Sequence, residues 1–521
     1  MQLLQLSNLY IRQVGTKKPK KMNLDNFSQS RSEMSNIHWI LSFYTLITCV
    51  SSERHTQMCE SPEPQFFSCH INSTFHSLSR VPFDALYMVV TIEEKFHTLE
   101  EKPFEKFMLL QVLNIASSGL QILSNSAFDG LSNLATLTVR GRVSVIENNS
   151  FKPCHSLRRL DLANNEIFQI FYLAIALEHL VNLETLILTH NPLESISIYA
   201  LSPLSQSSIV NLDLTDCQLS YIGHAALSNL THLIRLSMSH NPITQSNLEN
   251  ALNNISTNLK VLRLAHLNLT YLPLEAMRWI SDLEELSLTH HEIKLIDSGD
   301  ASVPLMAHLH KLNLSYGALS TIDESVFVNW PSLQTLDLSY NNLLHIPFDS
   351  IGHHGPIVLD NLTYLDLSHN QIVVKPDPVN FSLIAPNLIF LQLSYNNITY
   401  NPIQYEKLKK LETLHLNHNL VIPWHRSLIS DSDFSLMALY VDNNQLTSVT
   451  PAMLSDFGVL RYLSLHNNPF ACITCQVYEL AKWMNKTSTH LIDTNNIKCI
   501  KPKRELVMLM TEPFYCNITK M

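Results

Sequence analysis

The residues of this 521-residue chain best suited to chemistry are its cysteines and histidines. Cys472 and Cys475 stand as C-x-x-C, the spacing of a thiol redox pair. No strand–helix–strand pattern surrounds them, and Cys499 and Cys516 follow at wider intervals. Structural disulfides are therefore expected there, in preference to a redox centre or a four-cysteine zinc site. His290, His291 and Glu292 bring two imidazoles and a carboxylate together without the i, i+4 histidine spacing that a helical zinc site uses. His353 and His354 have no ligand placed at a recognisable distance. No G-x-S-x-G elbow, phosphate-cradling loop or dinucleotide fingerprint occurs. The sequence predicts no catalytic residue, no metal site and no cofactor.

What positions these residues is a repeat. Leu333 to Ile346 reads LQTLDLSYNNLLHI, which places Leu333, Leu336, Leu338, Asn341 and Leu343 on the pattern L-x-x-L-x-L-x-x-N-x-L. Alternation through the central L-x-L makes a short strand with leucines inward and the intervening side chains outward. The asparagine can satisfy backbone groups that neighbouring coils would otherwise bury without partners. One coil cannot bury its own apolar face, so coils must stack. First leucines recur from Leu110 to Leu460, mostly at steps of 23 to 26 residues. The predicted fold is an α/β solenoid: a leucine-rich-repeat horseshoe with a concave parallel sheet, about 15–16 repeats over residues 86–469. Phe128, Phe151 and Phe327 fall on the returning, convex side.

The asparagine place is filled by Leu267, His291 and Gly317 in three consecutive coils, which reads either as tolerance or as a local change in curvature or function. Cys217 takes the same place as an accepted substitute, and it and Cys154 are expected to be buried free thiols. The residue just before that place is His190, His240, His266, His290, Tyr316, Tyr340, His369, Tyr395 or His418 in successive or nearly successive coils. Stacked at the inter-strand spacing of about 4.8 Å, these side chains would form a column. It is either a pH-responsive or metal-binding stripe or simply a favoured form of the consensus, and the second reading is preferred.

Composition and ends give the compartment. The chain is 45% hydrophobic and 15% charged with a net charge of -10, which argues against a general nucleic-acid binder. Residues 1–33 form a lysine-containing extension of doubtful coding status before Met34. The apolar run Ile37 to Val50 followed by Ser51 and Ser52 predicts a signal peptide over 34–52, with an uncleaved signal anchor as the alternative. Sequons at Asn72, Asn148, Asn229, Asn254, Asn268, Asn313, Asn361, Asn380, Asn397, Asn485 and Asn517 fit an exported glycoprotein. No apolar tail follows Cys516, so neither a C-terminal membrane helix nor a lipid-anchor signal is expected.

Cys59 and Cys69 predict a disulfide-bonded N-terminal cap over residues 53–85. Residues 470–521 follow an N-P-F sequence and hold a close cysteine pair, an amphipathic segment with Trp483, and two later cysteines. This resembles the cysteine-rich C-terminal flank of extracellular leucine-rich-repeat proteins, although that family spaces its first pair C-x-C. Spacing alone permits three connectivities; the resemblance implies Cys472–Cys499 and Cys475–Cys516. Over residues 59–516 the capped array resembles the ectodomains of Toll-like receptors and of chaoptin-like adhesion proteins. A transmembrane helix and a cytoplasmic signalling domain, which Toll-like receptors add, are not seen.

Outward strand positions are polar or charged in the middle of the chain, with Arg263, Glu284, Glu285, His310 and Lys311, and apolar or aromatic in the last third. There Tyr364, Ile389, Phe390, Met437, Tyr440 and Tyr462 are the candidate ligand-binding residues, because exposed aromatics anchor interfaces. Asn313 faces outward between the two regions, where a glycan would obstruct the concave face. The expectation is an extracellular, secreted, non-enzymatic recognition protein for a protein or microbial-surface ligand, with a homodimer or a membrane-bound co-receptor as a further partner. The alternative is an adhesion or guidance protein at the cell surface, held by an uncleaved anchor or a partner.

Overall fold

The computed structural model describes residues 59–505 apart from 73–74, 100–101, 256, 274–276, 279, 298–304, 348–358, 374–384, 401–407, 428–434, 472–474 and 500–503. The N-terminal extension, the leader, Asn380, Asn517 and the side chains of Cys472, Cys475 and Cys516 lie outside the described residues.

Strands form where the L-x-L core recurs, and the middle leucines set their register. Leu312, Leu336, Leu365, Leu391 and Leu414 are direct partners from one coil to the next, so a single leucine row runs beneath the sheet. Among the described residues the sheet has 19 strands. It runs parallel from Phe66–Ile71 to His490–Ile492. Most strands are three residues long, since the chain must turn immediately into the next side of the coil, as in Lys311–Asn313 and Thr335–Asp337. Burial alternates as expected: in Thr335–Asp337 only Leu336 is buried.

Before the first repeat, Cys59–Glu63 lies antiparallel on Phe66–Ile71 with Cys59 opposite Cys69, and the two form the expected disulfide. That hairpin covers the open end of a stack whose leucines are each stabilised by about 1.5–3 kcal/mol on burial. On the returning side Phe104, Phe128 and Phe151 stack with centroids 6.5 and 5.5 Å apart, all fully buried. Phe327 is buried edge-on against Trp330 at 5.7 Å. Short helices replace the extended return in some coils. Pro451–Phe457 begins with proline in its first turn and is capped by Thr450, whose side chain accepts from Met453 N at 3.2 Å. Toward the C-terminus Cys475–Met484 is helical, and Cys499 is disulfide-bonded.

The asparagine place works as anticipated. Asn341 Oδ1 accepts from Leu319 N in the previous coil at 3.0 Å, while its amide donates to Leu314 O at 2.7 Å and Leu338 O at 3.1 Å. Asn370, Asn396, Asn419 and Asn444 repeat this arrangement. Cys217 substitutes by donating its thiol to Leu188 O at 3.1 Å, and burial pushes that thiol up to about 12. Cys154 is likewise a buried free thiol pushed up to about 12 by burial. Of the three exceptional coils, Leu267 is simply buried apolar, whereas His291 donates or accepts at both ring nitrogens, toward Leu314 O at 3.0 Å and Ile293 N at 3.1 Å.

Candidate ligand-recognition face

The outward side chains of the last third form a connected row of rings. Tyr364 stacks on Phe390 with centroids 4.7 Å apart, Phe390 meets His415 at 5.3 Å, and His415 stacks on Tyr440 at 4.1 Å. All four are half-buried, the condition in which an aromatic keeps contact area while fixed by its neighbours. Three of them were expected from sequence; His415 was not. It connects the row because the ring line shifts sideways between coils. Tyr364 and Phe390 precede the middle leucine, while His415 and Tyr440 follow it and pair directly with each other.

The other expected residues fall around this row. Ile389 is 38% exposed beside Phe390, and Met437 is half-buried. Tyr462 turns away, meeting His490 edge-on at 5.7 Å. That pair, with Arg461 and Ser488, borders a shallow depression of about 590 Å³ near the C-terminal end of the sheet.

Beneath the rings runs a second pattern. Asp337, Asp366 and Gln392 each accept from the backbone N–H and the hydroxyl of the serine two residues on; for Asp366 the distances are 2.9 and 2.6 Å from Ser368. The Tyr364 hydroxyl donates to Asp366 Oδ2 at 3.5 Å. Burial, then the Asp366 and Asp337 carboxylates, push Tyr364 up to about 12. Burial raises Asp366 above the usual carboxylate range against the pull of the Ser368 hydrogen bonds. Burial also pushes His415 down to about 4, outweighing Asn417 and Asp442. At neutral pH the row is thus a strip of uncharged rings.

Toward the N-terminus the face changes character. Arg158 pairs with Glu184, Lys260 with Glu284, and Arg263 and Lys311 with Glu285 at 3.2 and 3.8 Å. Such exposed pairs contribute about 0–1 kcal/mol each and leave the charges answered within the chain. Asn313 lies between the regions, half-buried, its Oδ1 accepting from Ser315 N at 2.9 Å and Ser315 Oγ at 2.7 Å. Of the other sequon asparagines described, Asn72, Asn148, Asn254, Asn268, Asn361, Asn397 and Asn485 are exposed and Asn229 is half-buried.

Along the edge of the sheet the expected column is present from His240 onward, whereas His190 pairs with Asp216 at 2.7 Å. His240, His266, His290, Tyr316, Tyr340, His369, Tyr395 and His418 stack ring on ring, with centroid spacings from 3.7 to 4.7 Å. Every one has a positive φ, between 53° and 58°. Left-handed backbone costs bulky residues about 1 kcal/mol or more, so the stacking offsets local strain. Burial and the flanking imidazoles lower His266 from its usual range.

One constellation has the residue types of a nucleophilic triad: Ser464 Oγ lies 3.0 Å from His466 Nδ1, and His466 Nε2 lies 3.6 Å from Asp442 Oδ2. Ser464 is only 1% exposed, so a substrate carbonyl has no approach to its oxygen. Its role is structural. No sequence motif pointed to it, because Asp442 lies one coil away from the other two.

Two family models match the chain: the BspA type leucine rich repeat region over residues 84–200 and 175–284, and the leucine rich repeat over 307–372. Human lumican is 29% identical over 189 residues, covering 33% of this chain and 54% of lumican. Human oligodendrocyte-myelin glycoprotein is 26% identical over 36% of this chain and 46% of its own length, and mouse CD180 antigen is 26% identical over 38% and 33%. The chain thus spans about half or less of the length of these curated relatives. Among solved structures, a leucine-rich-repeat protein of Leptospira interrogans superposes with a TM-score of 0.54 at 23% identity, covering 81% of this chain and 94% of that one. Toll in the Toll–Spatzle complex of Drosophila gives a TM-score of 0.54 at 16% identity, covering 84% and 69%. These superpositions bear on the fold.

Proposed function

We propose a role that starts from what this chain is, a leucine-rich-repeat protein resembling Toll-like receptor ectodomains: an extracellular, non-enzymatic recognition protein that binds a protein ligand across the C-terminal third of its sheet. The observation that carries this reading is the continuous row Tyr364–Phe390–His415–Tyr440, flanked by exposed Ile389. Rings already held by stacking lose little freedom on binding, so burial of their edges converts efficiently into affinity. The ion-paired N-terminal part of the face offers no comparable anchor. The relatives support the compartment: the chain aligns with lumican, oligodendrocyte-myelin glycoprotein and CD180 antigen, and Toll is solved in complex with Spatzle. The division into leader, N-terminal cap, repeats and cysteine-rich flank belongs to the same proposal.

The test has two parts. The full chain, expressed in secretory cells, is expected in the medium as an N-glycosylated protein; an unglycosylated cytosolic product would sink the compartment argument. The secreted protein is then screened against an array of extracellular proteins beside the Tyr364→Ala, Phe390→Ala, Tyr440→Ala triple variant. Loss of the binding signal in the variant is expected, whereas unchanged binding would place the interface elsewhere. Aggregation of cells displaying the chain, with no array signal, would move the reading to homophilic adhesion.

A further inference from the structure

We propose that an N-glycan on Asn148 lies against the rings of the next coil, its first sugars covering Phe168 and Tyr172. The segment Ile170–Leu177 is an eight-residue helix, IFYLAIAL, with no polar group in its side chains apart from the Tyr172 hydroxyl. A helix that is apolar on every side is ordinarily enclosed on every side. Here Leu173, Ala174 and Leu177 are buried, while Phe171 and Tyr172 are 44% and 54% exposed. Those two rings meet edge-on with centroids 5.8 Å apart. Tyr172, exposed Phe168 and exposed Val145 of the preceding coil line a shallow groove of about 190 Å³. A contiguous apolar patch of this kind marks a surface that something covers.

The coil register names the occupant. Val143 and Ile167 hold the same place in successive coils: Val143 N donates to Asn165 Oδ1 and Ile167 N to Asn191 Oδ1, each at 3.0 Å. Counting on equally from both, Ile146 matches Ile170, both buried, and Asn148 matches Tyr172. The sequon Asn148-Asn149-Ser150 therefore begins just past Ile146 in the wall of the groove. Asn148 is exposed, and its amide has no hydrogen-bond partner among the described residues that a sugar would displace. A pyranose ring has a face of C–H groups and a rim of hydroxyls, which suits aromatic side chains on one side and water on the other. The groove is too small for a drug-sized ligand, whose sites measure about 300–1,000 Å³. Tethering holds the sugar at an effective concentration of about millimolar, so a contact too weak to recruit a free sugar is sufficient. The proposal rests on the extracellular reading above, because attachment takes place in the secretory pathway.

The experiment follows release of each glycan from the folded, secreted full chain by peptide N-glycosidase, read site by site with mass spectrometry. A seated glycan must lift off before the enzyme reaches it, so release slows in proportion to the lifted fraction. Tyr172→Ser is expected to speed release at Asn148 by about threefold or more, whereas Tyr172→Phe keeps the ring and should match wild type. Release at Asn361, far along the chain, should be the same in all of them. If Tyr172→Ser is misfolded by circular dichroism, Phe168→Ser reads the same acceleration. Asn148→Gln uncovers the patch and should raise the fluorescence of an apolar dye. The proposal is overturned by an unoccupied Asn148 in a chain glycosylated elsewhere, by equal release from wild type and the serine variant that is read, or by unchanged dye fluorescence. A wild-type dimer that the serine variant dissociates would also overturn it, by making a second copy the occupant. A chain with no glycan at any sequon would instead remove the extracellular reading, and this proposal with it.

Discussion

His291 and Gly317 share one slot: a Cβ on residue 317 would lie 2.1 Å from His291 Cε1. In the ordinary coil, the residue at this place accepts from the previous coil and donates to its own, as Asn341 does with Leu319 N and Leu338 O. Gly317 has no side chain for this. His291, one coil earlier, reaches forward and supplies both bonds, accepting from Ile293 N and donating to Leu314 O. The two departures from the consensus are therefore one substitution spread over two coils, and the ladder is carried through without an asparagine.

A double-mutant cycle tests that relationship. His291→Ala leaves two buried backbone groups unpaired and is expected to cost about 2–4 kcal/mol, since each costs about 1–3 kcal/mol. Gly317→Asn alone is expected to destabilise by a similar amount through its clash with the imidazole. Together they should be more stable than the sum of the singles by at least about 1 kcal/mol, because the introduced asparagine can then make the bonds itself. Urea midpoints provide the readout. Strict additivity would mean that His291 and Gly317 do not compensate one another.

The N-terminal disulfide closes a loop with a sequence separation of 10 between Cys59 and Cys69. Cys69→Ser is expected to lower stability by about 2–3 kcal/mol from loop entropy alone. It should also unseal the first coils, so amide exchange ought to rise from Phe66 through Ile92 before it rises at Leu336. Uniform exchange along the chain would show that the cap does not act locally.

The solenoid was legible because its information is periodic: a leucine at a fixed place has one physical meaning in every coil, and the stacking of the edge column follows from the same arithmetic. The N-terminal cap was legible because Cys59 and Cys69 lie before the first leucine register. His415 was missed for the opposite reason. Whether Phe390 meets it depends on a sideways step between strand positions, and one coil's sequence does not encode its lateral offset from the next. The sequence left His291 open between tolerance and a local change, because its bond to Leu314 O serves a neighbouring coil. Features repeated at a fixed place in every coil are visible in the sequence; those that depend on an unrepeated step between coils need the structure.

His415 should make stability fall with acid. Burial holds its folded-state pKa at about 4, against an ordinary value near 6.5. A base with a depressed folded pKa is neutral in both states at high pH, so its contribution is fully present above about pH 6.5. Below that the unfolded chain takes up the proton first, and stability declines until pH falls through about 4. His415→Phe preserves a ring between Phe390 and Tyr440 and removes the titration. The urea midpoint of the variant minus that of wild type is expected to grow between pH 7 and pH 4.5. A constant difference would mean that His415 is protonated equally readily in both states.

Asp366→Asn separates the ring face from the fold that supports it. Asn313 already occupies the equivalent strand place with a neutral amide and the same two bonds to its serine, so asparagine is sterically accepted there. Because burial raises the Asp366 carboxyl, removing its charge is expected to leave stability unchanged or raise it when the protein is made without glycosylation. In secretory cells the same change creates the sequon Asn-Leu-Ser at 366–368. A glycan there would stand beside Tyr364 and should abolish ligand binding, with binding restored when the unglycosylated form is tested. Asp337→Asn creates Asn-Leu-Ser one coil earlier and should give a weaker block. The ring row would be excluded as the interface if a fully glycosylated Asp366→Asn protein bound its ligand as wild type does.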